Sequence, residues 1–406
     1  MKDIKKILCI SMLYPQHKDS LLGIFVSQQL QTLRKMYNVD IHVICPIRTQ
    51  PPSRAYSNKS TLKSWKSDIK KIPFEYTDET GINVYLPRFW SPPKRFFHFS
   101  WGYLCHMKIK HLLETLLKKN QYDIIFSHNA QPAGYIGNIL QEKADIPNII
   151  LVHGEDILGQ DSPPLFKLPF GKWAIGKTYE KAKMVLTVTN RNLNIIKNLS
   201  NSNARLLHLG ITPPSTSRKR EIMSSESVNI IQVGALVEQK GQKTLVEAVD
   251  RLINRFPDIH VNLVGSGYCE DDLKKLISKL DLKDKIELKG NMENKRVFDL
   301  YAASDIYVMA SWNEGIGMSY LEAMSMGLPI IGTKGEGVED HFSFGKIGIL
   351  VPPQNPESLA DAISYMIENK KITKEMGKKS LEVFNENFTW ERSCKKLYEY
   401  MQQVIQ

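Results

Sequence analysis

From Lys6 onward, short runs of aliphatic and β-branched residues recur along the chain, with amphipathic stretches between them. The first half holds "KILCIS", "DIHVICP", "INVYLP", "DIIFSH", "NIILVH" and "MVLTVT"; the second holds "VNIIQVG", "HVNLVG", "KIELKG", "DIYVMA" and "PIIGT". A run that is apolar on both of its faces belongs in a sheet covered on both sides. Many of these runs are followed by segments of helical period, such as "LVEAVDRLINRF", "EDDLKKLISKL" and "NKRVFDLYAAS". Strand followed by helix, repeated, is a series of βα units, and it restricts the chain to an α/β fold with parallel sheets.

The chain has 406 residues, too many for one ordinary core and enough for two. The βα series breaks once, at the Pro/Ser-rich, aperiodic stretch "TPPSTSRKREIMSSES". This predicts an N-terminal domain over 1–211, a linker over 212–227, a C-terminal domain over 228–387 and a final helix over 388–406 that can pack on either half.

The balance of 54 basic against 43 acidic residues, a net charge of +11, favours anionic partners: nucleic acid, an acidic membrane face or a phosphorylated substrate. The five cysteines are scattered and form no C-x-x-C, which fits a reducing compartment and argues against a disulfide framework or a zinc site. "MKDIKKILCISMLYP" lacks an A-x-A-like cleavage site and reads as a first buried strand. No apolar stretch approaches the roughly 18 residues that would span a bilayer, and a cytoplasmic protein is expected.

In open α/β sheets, ligands bind beyond the carboxyl ends of the strands. Three such ends are chemically unusual. "LVHGED" places His153, Gly154, Glu155 and Asp156 after one strand, and "VGALVEQKG" places Gly234, Lys240 and Gly241 after another. "VMASWNEGIG" leads into "MSYLEAMSMG", so that Glu314 and Glu322 flank Gly315 and Gly317 at the start of a helical run. A helix start attracts anions, and glycine lets backbone N–H groups approach one closely. Carboxylates there would repel a phosphate, so they must serve something attached to it. Polar, glycine-containing strand ends from both halves predict one cleft between two domains.

The blocks "VGALVEQKG", "EGIGMSYLEAMSMGLPIIGT" and "GILVPPQNPESLADAI" closely resemble the C-terminal half of family-four glycosyltransferases, retaining enzymes of the two-Rossmann GT-B fold. "GIFVSQQLQTLRK", "HNAQPAGYIG" and "LVHGED" extend a looser resemblance through the first half. The family's pair of glutamates with seven residues between them is matched by Glu314 and Glu322. The resemblance implies that Glu322 binds the nucleotide ribose and Glu314 a donor-sugar hydroxyl. It also implies that Gly315, Ile316, Gly317 and Met318 offer backbone contacts to sugar and phosphates, that Lys240 neutralises the diphosphate and that Gly23 belongs to the donor-binding set. His153 is placed near the reacting centre, which makes His153 and Glu314 the catalytic candidates. The donor is expected to be a UDP- or GDP-sugar and the acceptor a glycan or lipid-linked glycan, as in bacterial surface-polysaccharide assembly. No metal and no other cofactor are implied, and the last helix is expected to return to the N-terminal domain.

Two departures stand out. Ala235 occupies the position where the family usually has arginine, leaving Lys240 alone in that motif, and Gly23 is a single glycine where many relatives have a richer loop. Ala235 keeps open a non-catalytic partner in an assembly complex, and a GT-B sugar-nucleotide epimerase is a further alternative. No D-x-D, H-E-x-x-H, G-x-S-x-G or Walker A sequence occurs. The basic, aromatic segment over 87–113, with Trp90, Arg95, Phe96, Phe97 and Trp101, reads either as a surface for an anionic membrane or as a buried helix with an ordinary loop, and the membrane is the preferred partner. It carries no RNA-binding signature, and no nucleic-acid partner is expected.

Overall fold

The structure is a computed structural model and describes residues 3–17, 20, 22–50, 59–92, 95–154, 156–158, 164–212 and 221–405. The chain divides into two compact units, one formed by Met1–His208 with Trp390–Gln406 and the other by Leu209–Thr389.

The first unit runs β1 (Lys6–Ile10), α1 (Ile24–Tyr37), β2 (Asp40–Ile44), β3 (Ile47–Arg48), α2 (Lys59–Lys71), β4 (Glu75–Thr77), β5 (Asn83–Tyr85), β6 (Arg88–Phe89), α3 (Trp101–Lys119), β7 (Ile124–His128), α4 (Tyr135–Ala144), β8 (Asn148–Val152), α5 (Gly171–Lys181), β9 (Met184–Thr187), α6 (Asn190–Leu199) and β10 (Ala204–Leu206). Its main sheet has the order β10-β9-β8-β7-β1-β2-β5-β4, parallel except for the β4–β5 pair. β7 and β8 are buried at every residue, as apolar runs without alternation require. The strand order reverses between β1 and β7, which pair from Ile7 with Ile124 to Ile10 with Ser127.

The second unit runs β11 (Val228–Val233), α7 (Gln242–Leu252), β12 (Ile259–Val264), α8 (Glu270–Lys279), β13 (Ile286–Gly290), α9 (Asn294–Ala303), β14 (Ile306–Val308), α10 (Met318–Ser325), β15 (Ile330–Thr333), α11 (Glu339–Phe342), β16 (Gly348–Val351), α12 (Pro356–Glu368) and α13 (Lys370–Asn387). Its sheet has the order β13-β12-β11-β14-β15-β16 and is parallel throughout. In sequence terms this is 3-2-1-4-5-6, the doubly wound order, with its switch point between β11 and β14. Ile230, Leu245, Val249, Leu263, Ile306 and Ile363 share one core beneath the helices. Asn355 starts α12 by accepting from the Ser358 amide at 2.8 Å, with Pro356 in the first turn, where its missing N–H costs nothing.

The final helix, α14 (Trp390–Val404), belongs to the first unit. Trp390 donates its indole N–H to Gln28 at 3.2 Å, and Tyr398 stacks on Tyr37 with ring centroids 3.8 Å apart. The expected linker is in part no linker. Residues 213–220 lie outside the described residues, but Ile222 and Met223 are buried. Asp305 accepts from the amides of Met223 (2.7 Å) and Asn229 (2.9 Å), docking this segment on the second unit.

The apolar runs predict eleven strands and all eleven form. They do not predict β3, β4, β6, β10 or β16, of two to four residues each; β4, β10 and β16 lie at sheet edges. One membrane-facing expectation is corrected. Trp101 is buried, with the Arg48 guanidinium 4.2 Å from its ring centroid, so it belongs to the interior of α3's packing. Trp90 and Phe97 are exposed, and the side chains of Arg95 and Phe96 lie outside the described residues. Among the described residues no helix is long and apolar enough to cross a membrane.

Candidate active site

In the second unit, the loops that leave β11 and β14 emerge side by side at the switch point. They are tied by the Trp312 amide, which donates to the Gln239 carbonyl at 2.9 Å. The buried Gln232, on β11, donates its amide to the Lys240 carbonyl at 2.6 Å. Gly241 then turns the chain into α7 with φ of +71°, and a Cβ there would lie 2.2 Å from the Ala310 carbonyl oxygen. Only glycine supplies both that backbone and that close approach.

This geometry delivers Lys240 to Glu314. Their side chains form an ion pair, with 24% and 14% of their surfaces exposed, so water screens it only in part. The Glu314 amide donates to Glu336 at 3.0 Å, so a second carboxylate, from the loop after β15, holds the turn from the other side. Ile316 is buried and anchors the loop. Gly317, at φ of +63°, stands at the N-cap of α10, where a Cβ would come within 2.6 Å of the Tyr320 ring. Gly315 to Met318 therefore lead directly into the end of α10 whose first N–H groups have no partner within the helix.

Glu322 lies on the second turn of α10 and its Oε2 accepts from the Tyr301 hydroxyl at 3.0 Å. Tyr301 comes from α9 and is fully buried. Burial raises the Glu322 carboxyl above the ordinary glutamate value, and the bond from Tyr301 works against that rise. The same α10 face is fixed by Tyr307, whose hydroxyl donates to Ser319 at 2.7 Å. The set combines one cation, the backbone amides of a helix start and two carboxylates with acceptor capacity. It can hold an anion through Lys240 and the amides, and hydroxyl groups through the carboxylates. Among the described residues, no group of three or more His, Cys, Asp or Glu side chains is arranged to hold a metal ion.

In the first unit, Gly23 ends the β1–α1 connection in a left-handed conformation, φ +66°, beside that sheet's own switch point. His153 follows β8. Its Nε2 lies 2.7 Å from Nδ1 of His128, at the end of β7, with the two rings stacked at 5.0 Å. Phe25, in the first turn of α1, meets His153 edge-on at 4.9 Å. The His153 amide donates to Asn129 at 3.1 Å. Burial pulls His153 down to about 3 and His128 well below the ordinary histidine value, so both rings are neutral near pH 7. A neutral pair shares one N–H···N bond, so the tautomer of one ring sets that of the other. Asp156 accepts from the Ala130 amide at 2.6 Å and from Tyr179 at 3.0 Å, which stabilises the loop. Glu155 lies outside the described residues.

Sequence reasoning did not reach Tyr301, Glu336 or His128. Glu336 carried a usable signal, since "TKGEG" is another glycine-containing loop after a strand. Tyr301 carried none: on its own "DLYAAS" is an ordinary helix end.

Two doubly wound parallel units, with a cation, a glycine-bearing helix start and a glutamate pair at one switch point, define the GT-B class of glycosyltransferase. The sequence agrees. Residues 23–213 match the profile of Glycosyltransferase Family 4, and residues 215–383 match that of the Glycosyl transferases group 1. The chain belongs to these group 1, family 4 glycosyltransferases. It is 28% identical over 411 residues to TuaC of Bacillus subtilis, named for teichuronic acid biosynthesis, with 98% of each chain covered. Among solved structures, it resembles sucrose-phosphate synthase from Thermosynechococcus elongatus, with a TM-score of 0.74 at 19% identity over 98% of this chain and 99% of that one. It also resembles Anabaena HepE in complex with UDP, with a TM-score of 0.71 at 18% identity over 98% and 100%.

Proposed function

We propose that this glycosyltransferase is a retaining hexosyltransferase. It moves a sugar from a UDP- or GDP-sugar to a glycan or lipid-linked glycan acceptor, without a metal ion, at the cytoplasmic face of a membrane during cell-surface polysaccharide synthesis. The observation that carries this reading is the meeting of Lys240 and Glu314 across 74 residues of sequence, at the helix start that also carries Glu322. The name of TuaC supports a surface-polysaccharide acceptor, and the complex of HepE with UDP supports a uridine donor.

In this mechanism the second unit holds the donor and the first binds the acceptor. The diphosphate lies on the amides of Gly315 to Met318, and Lys240 turns from Glu314 to its oxygens. Glu314, released, accepts from a hydroxyl of the donor sugar, while Glu322 accepts from the ribose with the oxygen that Tyr301 leaves unused. The acceptor oxygen bonds to the anomeric carbon on the face from which the diphosphate departs. As the bond from that carbon to the phosphate oxygen breaks, the departing oxygen takes the acceptor proton. Charge grows on the diphosphate during this step, so a fixed cation and oriented amides favour the transition state over the ground state. His153, neutral, serves the transferred sugar as a hydrogen-bonding group, and Gly23 lets the chain approach the donor.

Ala235 favours a second reading, a non-catalytic partner, because it removes the usual second cation beside the diphosphate. The test is incubation with a panel of UDP- and GDP-sugars and a lipid-linked acceptor in the presence of EDTA, with the product's anomeric configuration read by NMR. Transfer in EDTA with the donor's configuration kept is the expected result. Neither hydrolysis nor transfer with any donor would establish the silent partner. An inverted product would refute retention, and activity abolished by EDTA and restored by Mn²⁺ would refute metal independence.

A further inference from the structure

Neighbouring strands of the second unit each lead to one charged residue of the same cluster: β11 to Lys240, β14 to Glu314 and β15 to Glu336. Lys240 holds Glu314 by its carboxylate. Glu336 holds it by its backbone, since the Glu314 amide donates to Glu336 Oε2 at 3.0 Å. Glu314 is thus gripped at both ends of one residue, by loops distant from it in sequence.

The stretch "TKGEGVED" aims Glu336 across the sheet end. The Lys334 amide still pairs with the Val351 carbonyl of β16 at 2.9 Å, so the strand register carries to the start of the loop. Gly335 then turns the chain at φ of +77°, and its amide donates to the Glu339 carboxylate at 2.7 Å. The Glu339 amide donates back to the Glu336 carbonyl at 3.0 Å, and Val338 is buried. Glu339 therefore closes the loop on itself, while Glu336, only 9% exposed, reaches the loop after β14.

The turn that receives this bond lies between two left-handed residues, Asn313 (φ +56°) and Gly317 (φ +63°). Sparsely populated backbone of this kind persists where its surroundings over-determine it, and it gathers at sites of function. The far end of the turn has its own anchors, because Ile316 is buried and Gly317 caps α10. Its near end, at Glu314, is the part that Glu336 fixes.

We propose that Glu336 is a positioning residue for sugar transfer: its bond to the Glu314 amide keeps that backbone in place while the Glu314 side chain exchanges Lys240 for a hydroxyl of the donor sugar. This inference rests on the proposed role of Glu314 at the donor sugar, and it supplies the fixed point about which the exchange occurs. Without it, the departure of Lys240 towards the diphosphate would release both grips at once, and a displacement of about 1 Å costs on the order of 100-fold in rate. Glu322, placed on the ribose, is supported separately by Tyr301. The loss should therefore fall on transfer and spare nucleotide affinity.

The test compares wild type with E336A, E336Q, E314A and E314A/E336A. Transfer from UDP- and GDP-sugars to a lipid-linked acceptor is measured with calorimetric binding of UDP and GDP, at a temperature where melting curves show every variant folded. E336A should lower kcat by about 10- to 100-fold, the worth of a bond to a charged group, and leave nucleoside diphosphate affinity within about twofold. E336Q, which keeps an acceptor at the same reach, should restore most of that loss. In the double variant, E336A should cost less than about twofold beyond E314A, because no carboxylate remains to be positioned. The proposal is overturned if E336A matches wild type in kcat while E314A is impaired, or if E336Q is as defective as E336A. It is equally overturned by losses that multiply in the double variant, or by diphosphate affinity falling as far as kcat. An unimpaired E314A refutes the reading of Glu314 at the sugar, and a wild type that neither binds nor transfers refutes the transferase reading; each removes the positioning role with it.

Discussion

The hydroxyl of Tyr301 donates to Oε2 of Glu322 at 3.0 Å, linking α9 to α10 across 21 residues of sequence. Burial raises the Glu322 pKa and this bond opposes the rise. Tyr301→Phe should therefore raise it further. Only the ionised carboxylate accepts from two hydroxyls at once, so nucleotide affinity should fall as pH drops through the Glu322 pKa, a limb lying above the ordinary glutamate value of about 4.3. The variant should shift that limb to higher pH and weaken UDP or GDP binding by about 10- to 100-fold, the worth of a bond to a charged group. Calorimetric titrations across pH read both effects. A limb that stays in place would mean that Tyr301 supports only the fold.

The raised pKa also bears on stability. The folded state holds the Glu322 proton more tightly than the unfolded chain does, so this group's favourable contribution is complete below the unfolded pKa and is lost as pH rises through the folded one. Glu322→Gln should remove that slope and leave the protein at least as stable as wild type at pH 7, while nucleotide binding is lost. Thermal melts from pH 4 to 8 would show it.

Lys240 and Glu314 form an ion pair, which the donor's diphosphate would displace in the proposed mechanism. Lys240→Ala should reduce transfer by about 2–4 kcal/mol, or roughly 30- to 1,000-fold, as for a removed oxyanion donor. Glu314→Gln should depress kcat more than nucleotide affinity. Because the two groups touch, the double variant should lose clearly less than the sum of the two single losses. Full additivity in steady-state kinetics would contradict the coupling.

Gly241→Ala would force a side chain into a left-handed backbone and against the Ala310 carbonyl. The expected cost is at least about 2 kcal/mol, which lowers Tm by about 4–8 °C for a unit of this size. Scanning calorimetry reads it directly, and an unchanged Tm would mean that the β11 loop is not held against β14.

His128 and His153 are buried neutral, whereas in the unfolded chain both would charge below about 6.5. With folded values depressed, their contribution is complete above the unfolded pKa and is lost progressively as pH falls from about 6.5 towards about 3, where burial holds His153. His128→Phe should flatten this acid limb in urea titrations followed by tryptophan fluorescence. A limb as steep as wild type would assign acid sensitivity to other groups.

Every strand that the apolar runs predict is present; most of them are interior strands, and a strand buried on both faces must be apolar along its whole length, a requirement that is local. Of the edge strands, β13 was legible and the others escaped the same reading. β4 ("EYT") and β10 ("ARL") are partly exposed, so no burial requirement marks their sequences. Glu314, Glu322 and the glycines between them were legible for a related reason, since a glycine turn, a helix start and its carboxylates are neighbours in sequence.

What sequence could not settle was decided by partners brought from elsewhere. Trp90 and Trp101 belong to one basic, aromatic segment, yet Trp90 is exposed and Trp101 lies under Arg48. Tyr301 reaches Glu322 because α9 and α10 flank the same strand in the order of the chain, and His128 meets His153 because β7 and β8 are paired. Lys240 reaches Glu314 only because β11 and β14 are neighbours at the point where the sheet's order reverses. The sequence by itself determined the elements and the chemical character of the strand ends, which depend on local periodicity and backbone freedom. Which strand ends stand side by side is set by the burial of the whole sheet, and that placement alone made a cation and a carboxylate 74 residues apart into one site.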